Sequence, residues 1–183
     1  MKYLAECMTS LCREQQNAPG YEVLIIDNAS VDGSVEYLQK EWCGEGVRLI
    51  SLPENTGFCH AVNLGIREAK TPYVILLNND TKAEAGFVRG LYDAIRENEK
   101  IFSVSAKMLM WDRPELIDDA GDRYCVLGWA YSRGKGQPAA DYDKSVPVFS
   151  ACGGAAIYRR SVFEEIGYFD EEHFAYLEDL DIG

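Results

Sequence analysis

Apolar residues recur at helical spacing from the start of the chain. Leu4, Cys7, Met8, Leu11 and Cys12 share one face and predict an amphipathic helix over 2–13. Pro19-Gly20 then turns the chain, and the β-branched run at 22–26 predicts a buried strand. Ser30, Asp32 and Ser34 stand as N-cap candidates ahead of a helix over 33–42 that carries Val35, Tyr37 and Leu38. A strand over 47–52 stops at Pro53, and Phe58, Ala61, Val62, Leu64 and Ile66 predict a helix over 58–69. Thr71-Pro72 breaks that helix before a wholly apolar strand at 73–77. A helix over 84–98 and a strand over 103–110 follow. Strands alternating with helices are the pattern of βαβ units around a parallel sheet.

Past residue 110 the periodicity weakens. Pro114, Asp118, Asp119, Gly121, Gly134, Gly136, Pro138 and Pro147 mark an excursion over 111–147, read as a hairpin or a lid. Small apolar sequence returns over 149–158, and Ser161 is read as the cap of a short helix carrying Val162, Phe163 and Ile166. At 183 residues, with 47% apolar and 26% charged positions, the chain is expected to form a single α/β domain over 1–183 with a sizeable core.

Charge narrows the choice of partners. The net charge is −12, and no stripe of Lys or Arg is present to displace counterions from a phosphate backbone, so no nucleic-acid partner is expected. A diphosphate can still be held by a helix N-terminus, a local Arg or a metal. The six cysteines lack any C-x-x-C pairing and have two histidines for company, which argues against a zinc site or a disulfide framework. No apolar run is long enough to span a bilayer and no signal-peptide pattern is present, so the expected location is cytoplasmic, or peripheral at the inner membrane face.

In a parallel sheet, ligands gather outside the carboxyl ends of the strands. Four polar segments fall at such ends or close to them. The first runs Asp27-Asn28-Ala-Ser30-Val-Asp32-Gly-Ser34, where a carboxylate can accept from a base-edge N–H. The second is Asn55-Thr-Gly57 leading to Asn63-Leu-Gly65, with Gly57 permitting close approach to a ligand. The third is Asn78-Asn79-Asp80-Thr81, oxygen donors suited to a hard divalent cation. In the fourth, Glu178 and Asp179 sit among aromatics, which can desolvate a carboxylate and make it a useful base. Taken singly, the third reads equally as a solvated turn, and the other three read more readily as turn, cap or surface residues.

Together and in this order, the segments resemble family 2 glycosyltransferases of the GT-A fold, particularly the rhamnosyltransferase-like members. The resemblance runs through Leu24-Ile-Ile-Asp-Asn-Ala-Ser-Val-Asp-Gly-Ser34, Asn55-Thr-Gly-Phe58, Asn63-Leu-Gly-Ile66, Leu76-Leu-Asn-Asn-Asp80, and Gly153-Gly154 through Glu178-Asp179. It implies an α/β, mostly parallel Rossmann-like sheet flanked by helices, and an inverting hexosyltransferase. Its donor would be a dTDP- or UDP-sugar such as a rhamnosyl nucleotide. Its acceptor would be a saccharide or lipid-linked saccharide in cell-surface polysaccharide synthesis. Asp27, Asn28, Ser30, Asp32, Asn55, Gly57, Asn63, Asn78, Asn79 and Asp80 would line the nucleotide-sugar site, with Asp80 also holding Mg²⁺ or Mn²⁺. Gly153 and Gly154 would lie under donor and acceptor, and Asp179, beside Glu178, would be the general base.

The sequence departs from the family at both ends. The family opens with a strand ahead of the first helix and continues past the position of Gly183, so the chain is expected to be truncated, with its first strand missing and neighbouring strand edges left to pair elsewhere, for instance in a homo-oligomer. A nucleotide-sugar-binding protein without catalysis is the alternative. A nucleotidyltransferase would carry a glycine-rich loop with Arg and Lys, which is absent here.

Overall fold

The computed structural model describes residues 3–14 and 18–183. Helix α1 (Leu4–Glu14) leads into β1 (Val23–Asp27), α2 (Ser34–Glu41), β2 (Val47–Ser51), α3 (Phe58–Glu68), β3 (Tyr73–Leu77) and α4 (Phe87–Arg96). The predicted alternation is therefore present. The expected helix over 84–98 starts later because Gly86, at φ 85°, sets a left-handed residue ahead of Phe87. The expected strand over 103–110 divides into β4 (Ser103–Ser105) and β5 (Met108–Met110). Ala106 N–H makes the last bond to Ala155, and the chain then turns to pair with β6 (Arg113–Asp119).

The excursion holds β6 and a hairpin of β7 (Asp122–Tyr124) and β8 (Ala130–Ser132), followed by a short 3₁₀ turn at Ala139–Tyr142. Strand β9 (Ala155–Arg159) and helix α5 (Arg160–Ile166) return the chain to the sheet, and α6 (Glu178–Asp181) closes it. Ser161 does not cap α5, because the helix begins one residue earlier and Ser161 lies in its first turn. Nor do Ser30, Asp32 or Ser34 cap α2. Gly33 takes the N-cap position, and the Ser34 hydroxyl donates to Asp32 instead.

Strands β1 and β2 pair in parallel, Val23 opposite Val47 through Asp27 opposite Ser51. Strand β9 lies between β3 and β4, antiparallel to both, so β3 and β4 run the same way. Its side chains alternate. Ile157 packs with Leu91 and Ile95 of α4, whereas Ala156 and Tyr158 join Cys59, Ile66, Phe163 and Phe169. Tyr158, Phe163 and Phe169 contact one another with ring centroids 5.6–6.0 Å apart, and each such buried ring contributes roughly 1.5–3 kcal/mol by leaving water. A separate cluster of Leu4 and Met8 with Leu38 and Val47 holds α1 and α2 against β1 and β2.

Strands β1 and β3 belong to separate sheets. Among the described residues each pairs along one edge only, and every residue of both strands lines a cavity of about 930 Å³. The α1 residues Leu4, Cys7 and Met8 line it too, as do Ala61, Val62 and Gly65 of α3. At one end of this cavity the loops after β1 and β3 meet the segment before β9.

Candidate active site

The loop after β1 is built by its own polar side chains. Asp27 is buried at the strand end and its carboxylate accepts the Ser30 N–H at 3.1 Å. Ala29 adopts φ 63°, a left-handed conformation that a non-glycine residue holds only when its surroundings fix it. Asp32 is exposed, and hydrogen bonds from the Ser34 hydroxyl and N–H lower its carboxyl.

Asn28 braces the neighbouring loop. Its amide donates to Asn55 Oδ1 at 3.0 Å and to the Gly57 carbonyl at 2.9 Å, and its oxygen accepts from the N–H and hydroxyl of Thr56. Both donors and both acceptor positions of its side chain are thereby used within the chain, so Asn28 shapes the loop while lining the cavity. Gly57 is likewise committed within the chain. At φ 85°, its Cα faces Phe174, whose carbonyl would stand 2.8 Å from an added Cβ and accepts the Phe58 N–H at 2.7 Å. The close approach it permits is that of Phe174.

Asn63 is fully buried on α3, with its amide donating to the Phe169 carbonyl and to Glu171 and its oxygen accepting the Phe169 N–H. Its side chain clamps the 168–177 loop. Glu171 completes the clamp through His60 at 2.8 Å and Arg67 at 3.5 Å. Its carboxyl is lowered, first by the Asn63 amide and then by His60.

That clamped loop delivers α6. Tyr176 and Leu177 adopt φ 76° and 68°, two successive left-handed non-glycine residues immediately ahead of Glu178. Such residues cost about 1–3 kcal/mol each and persist only where the fold over-determines them. Glu178 is buried, and both its Oε2 and Asp179 Oδ1 are buried without a hydrogen-bond partner among the described residues. Burial raises the Asp179 carboxyl to about 7, aided by Glu178, Asp122 and Asp119 and partly offset by the Gly153 N–H. An added Cβ on Gly153 would lie 2.8 Å from Asp179 Oδ1, so the carboxylate rests directly on a bare backbone. Gly154 next door accepts the Asn78 N–H at 2.9 Å, tying the end of β3 to this floor. Asn78, Asn79 and Asp80 are all exposed at that strand end.

The pattern described as Glycosyl transferase family 2 matches residues 1–167. The chain belongs to this family. An N-acetylglucosaminyl-diphospho-decaprenol L-rhamnosyltransferase of Mycobacterium tuberculosis is 30% identical over 189 aligned positions, covering 88% of this chain and 59% of the relative. A teichoic acid poly(glycerol phosphate) polymerase of Staphylococcus epidermidis is 30% identical over 64% of this chain and 16% of its own length. Among solved structures, S. aureus TarS 1-349 in complex with UDP superposes with a TM-score of 0.68 at 19% identity, over 98% of this chain and 49% of TarS. The mannosyltransferase PcManGT from Pyrobaculum calidifontis, in complex with GDP-Man and Mn²⁺, gives 0.67 at 16%, over 98% and 46%. The fold is thus that of the GT-A glycosyltransferases, and the chain spans about half the length of the rhamnosyltransferase, TarS and PcManGT and a smaller share of the polymerase.

Within the family 2 frame, the end of β3 offers one carboxylate, Asp80. Among the described residues it joins no cluster of three His, Cys, Asp or Glu ligands; the trio that does exist, Asp170, His173 and Asp181, has ligand atoms within 4.8 Å of one another and lies on the 168–181 segment. The donor set at Asp80 fits a hard cation that takes its other ligands from water and diphosphate oxygens, the usual habit of Mg²⁺. Among the described residues, no helix is long and apolar enough to cross a membrane.

Two site residues escape sequence reasoning. Asp119 is buried and accepts the Gly121 N–H at 2.7 Å, and Asp122 is raised to about 6 by burial and then by Asp119. They lie in the excursion, and only the return of the chain at Ser150, whose carbonyl accepts the Asp122 N–H, brings them toward Asp179. The clamp on α3 did leave a signal: His60, Asn63 and Arg67 share one helical face.

Proposed function

We propose that residues 1–183 form a single GT-A catalytic domain of an inverting glycosyltransferase. It transfers a sugar from a dTDP- or UDP-linked donor, rhamnose being the first candidate, to a lipid-linked saccharide acceptor in cell-surface polysaccharide synthesis. The observation that carries this reading is Asp179, a carboxylate whose proton affinity is raised by burial and which rests on the bare backbone of Gly153, close to the end of β3. The M. tuberculosis relative supports the rhamnosyl donor and the polyprenyl diphosphate acceptor by its name.

The roles follow from placement. Asp27 and Asp32, at the mouth of β1, accept hydrogen bonds from base and ribose, and the Asn28-braced loop at 55–57 forms the adjoining wall. Asp179 accepts the proton of an acceptor hydroxyl as its oxygen attacks the anomeric carbon, and the C–O bond to the nucleoside diphosphate breaks on the opposite face, inverting that centre. Asp119 and Asp122 both bear on the Asp179 carboxyl, and Asp122, the less buried of the two, would offer an oxygen acceptor to the acceptor's remaining hydroxyls. Asp80 would hold a divalent cation, which would supply charge neutralisation to the departing diphosphate.

Purified chain is tested with dTDP-rhamnose, UDP-sugars and GDP-mannose, with and without Mn²⁺, by thermal unfolding and by transfer to a polyprenyl-diphosphate sugar. One nucleotide is expected to raise the unfolding temperature in a metal-dependent way, since ligand at 100 times Kd contributes about 2.7 kcal/mol. Asp179→Asn should keep that shift and lose transfer. A shift without transfer in the parent chain would favour the non-catalytic binder, and full transfer by Asp179→Asn would remove Asp179 from the mechanism.

A further inference from the structure

The β7–β8 hairpin carries a run of exposed large apolar side chains. Arg123 pairs with Tyr131 and Tyr124 with Ala130 across its two strands, and Cys125 N–H bonds to the Trp129 carbonyl to close the turn. The tip, 125–130, carries no charge. Val126 is fully exposed, Leu127 is 80% exposed and Trp129 70%. Tyr124 and Tyr131 stand at its shoulders, half exposed, with Tyr124 stacked on Phe149. Aliphatic residues at a tip with Trp and Tyr behind them suit the graded polarity of a bilayer interface, and contiguous exposed apolar surface marks an interaction site.

A second feature lies directly below. A hollow of about 420 Å³ is lined by Arg123 and Arg133, with Ser132 and Gln137 beside them and Asp141 as its one carboxylate. Arg133 is oriented by stacking over the Tyr142 ring at 4.6 Å and by a bond to the Ala120 carbonyl. Two guanidinium groups against one carboxylate make the lining of this hollow locally cationic in a chain of net charge −12. The same hairpin is rooted at the catalytic wall. Asp122, its first residue, exchanges backbone hydrogen bonds with Ser150 and Phe149, and Gly183 at the end of the catalytic segment packs against those two residues. At about 3.3 Å per residue, the four steps from Asp122 to Val126 place the tip roughly 13 Å from that wall.

We propose that this hairpin is a membrane-docking element: Val126, Leu127 and Trp129 enter the bilayer interface while Arg123 and Arg133 hold the phosphate of a lipid headgroup. This rests on, and deepens, the reading of a lipid-linked acceptor, because it fixes the acceptor's phosphate end beside the hollow and turns its sugar toward Asp179.

The test is co-sedimentation of the 183-residue chain with phosphatidylcholine vesicles, with and without undecaprenyl phosphate. The parent chain is expected to pellet with both and more strongly with the second. Leu127→Asp and Trp129→Ser should weaken binding to both by about tenfold, with unfolding temperature and nucleotide-induced shift unchanged. Arg123→Gln should lose only the increment due to undecaprenyl phosphate, and inorganic phosphate should not displace the chain. The proposal is overturned if the parent chain does not pellet, if Leu127→Asp pellets equally, or if inorganic phosphate alone competes. It is also overturned if Leu127→Asp dissolves a dimer while vesicles are ignored, which would make the tip a contact between copies. Vesicle binding needs no turnover, so failure of the transfer assay leaves this result readable by itself.

Discussion

Gly153 and Asp179 form the smallest unit on which the proposed chemistry depends. A side chain at Gly153 would meet Asp179 Oδ1 at 2.8 Å, and the carboxylate, being the free end of a side chain, would yield first. Folding would survive that movement, whereas an aligned attack would not. Gly153→Ala is therefore expected to leave nucleotide binding and unfolding temperature unchanged and to lower kcat by about a hundredfold, the usual effect of an ångström-scale misplacement. Steady-state kinetics beside a thermal-shift titration separate the two effects, and an unchanged kcat would show that Asp179 tolerates displacement. Asn28 and Asn63 carry the opposite lesson. Both occur in motifs that resemble a nucleotide site, yet their amides are consumed inside the chain. A sequence shows an amide and its neighbours, not which way the amide turns.

At the scale of elements, what governs the site is the clamp between α3 and the 168–177 loop. Asn63→Leu keeps the shape but leaves the Phe169 N–H and carbonyl unpaired, each such loss costing about 1–3 kcal/mol. Urea unfolding should record a fall in stability of about 2 kcal/mol or more, with the midpoint moving and the slope retained. An unmoved midpoint would mean that the loop is held by other contacts. The helices and strands through β3 were legible because their apolar positions repeat with the period of each element. The division of β4 from β5 was not, since it depends on a change of pairing partner at Ala106. Asp119 and Asp122 were hidden for the same reason: their significance comes from Ser150, which lies 28 residues beyond Asp122.

Over the whole molecule, three carboxylates, two of them from a distant part of the chain, bear on one. Asp119, Asp122 and Glu178 all raise the proton affinity of Asp179, on top of its burial. The sign of the linkage follows. A carboxyl raised from 3.8 to about 7 on folding binds a proton that the unfolded chain has already released, so its contribution to stability declines as pH rises across that window. Activity moves the other way, because only the ionised form accepts a proton. The most direct measurement is the pH dependence of kcat/KM for sugar transfer in the parent chain and in Asp179→Asn. The account predicts a rise to a plateau above about pH 7 in the parent chain, and activity lower by about 10²–10⁴ without that rise in the variant. A flat profile from about pH 5 to 8, or the same rise retained in Asp179→Asn, would contradict the assignment of Asp179 as the base.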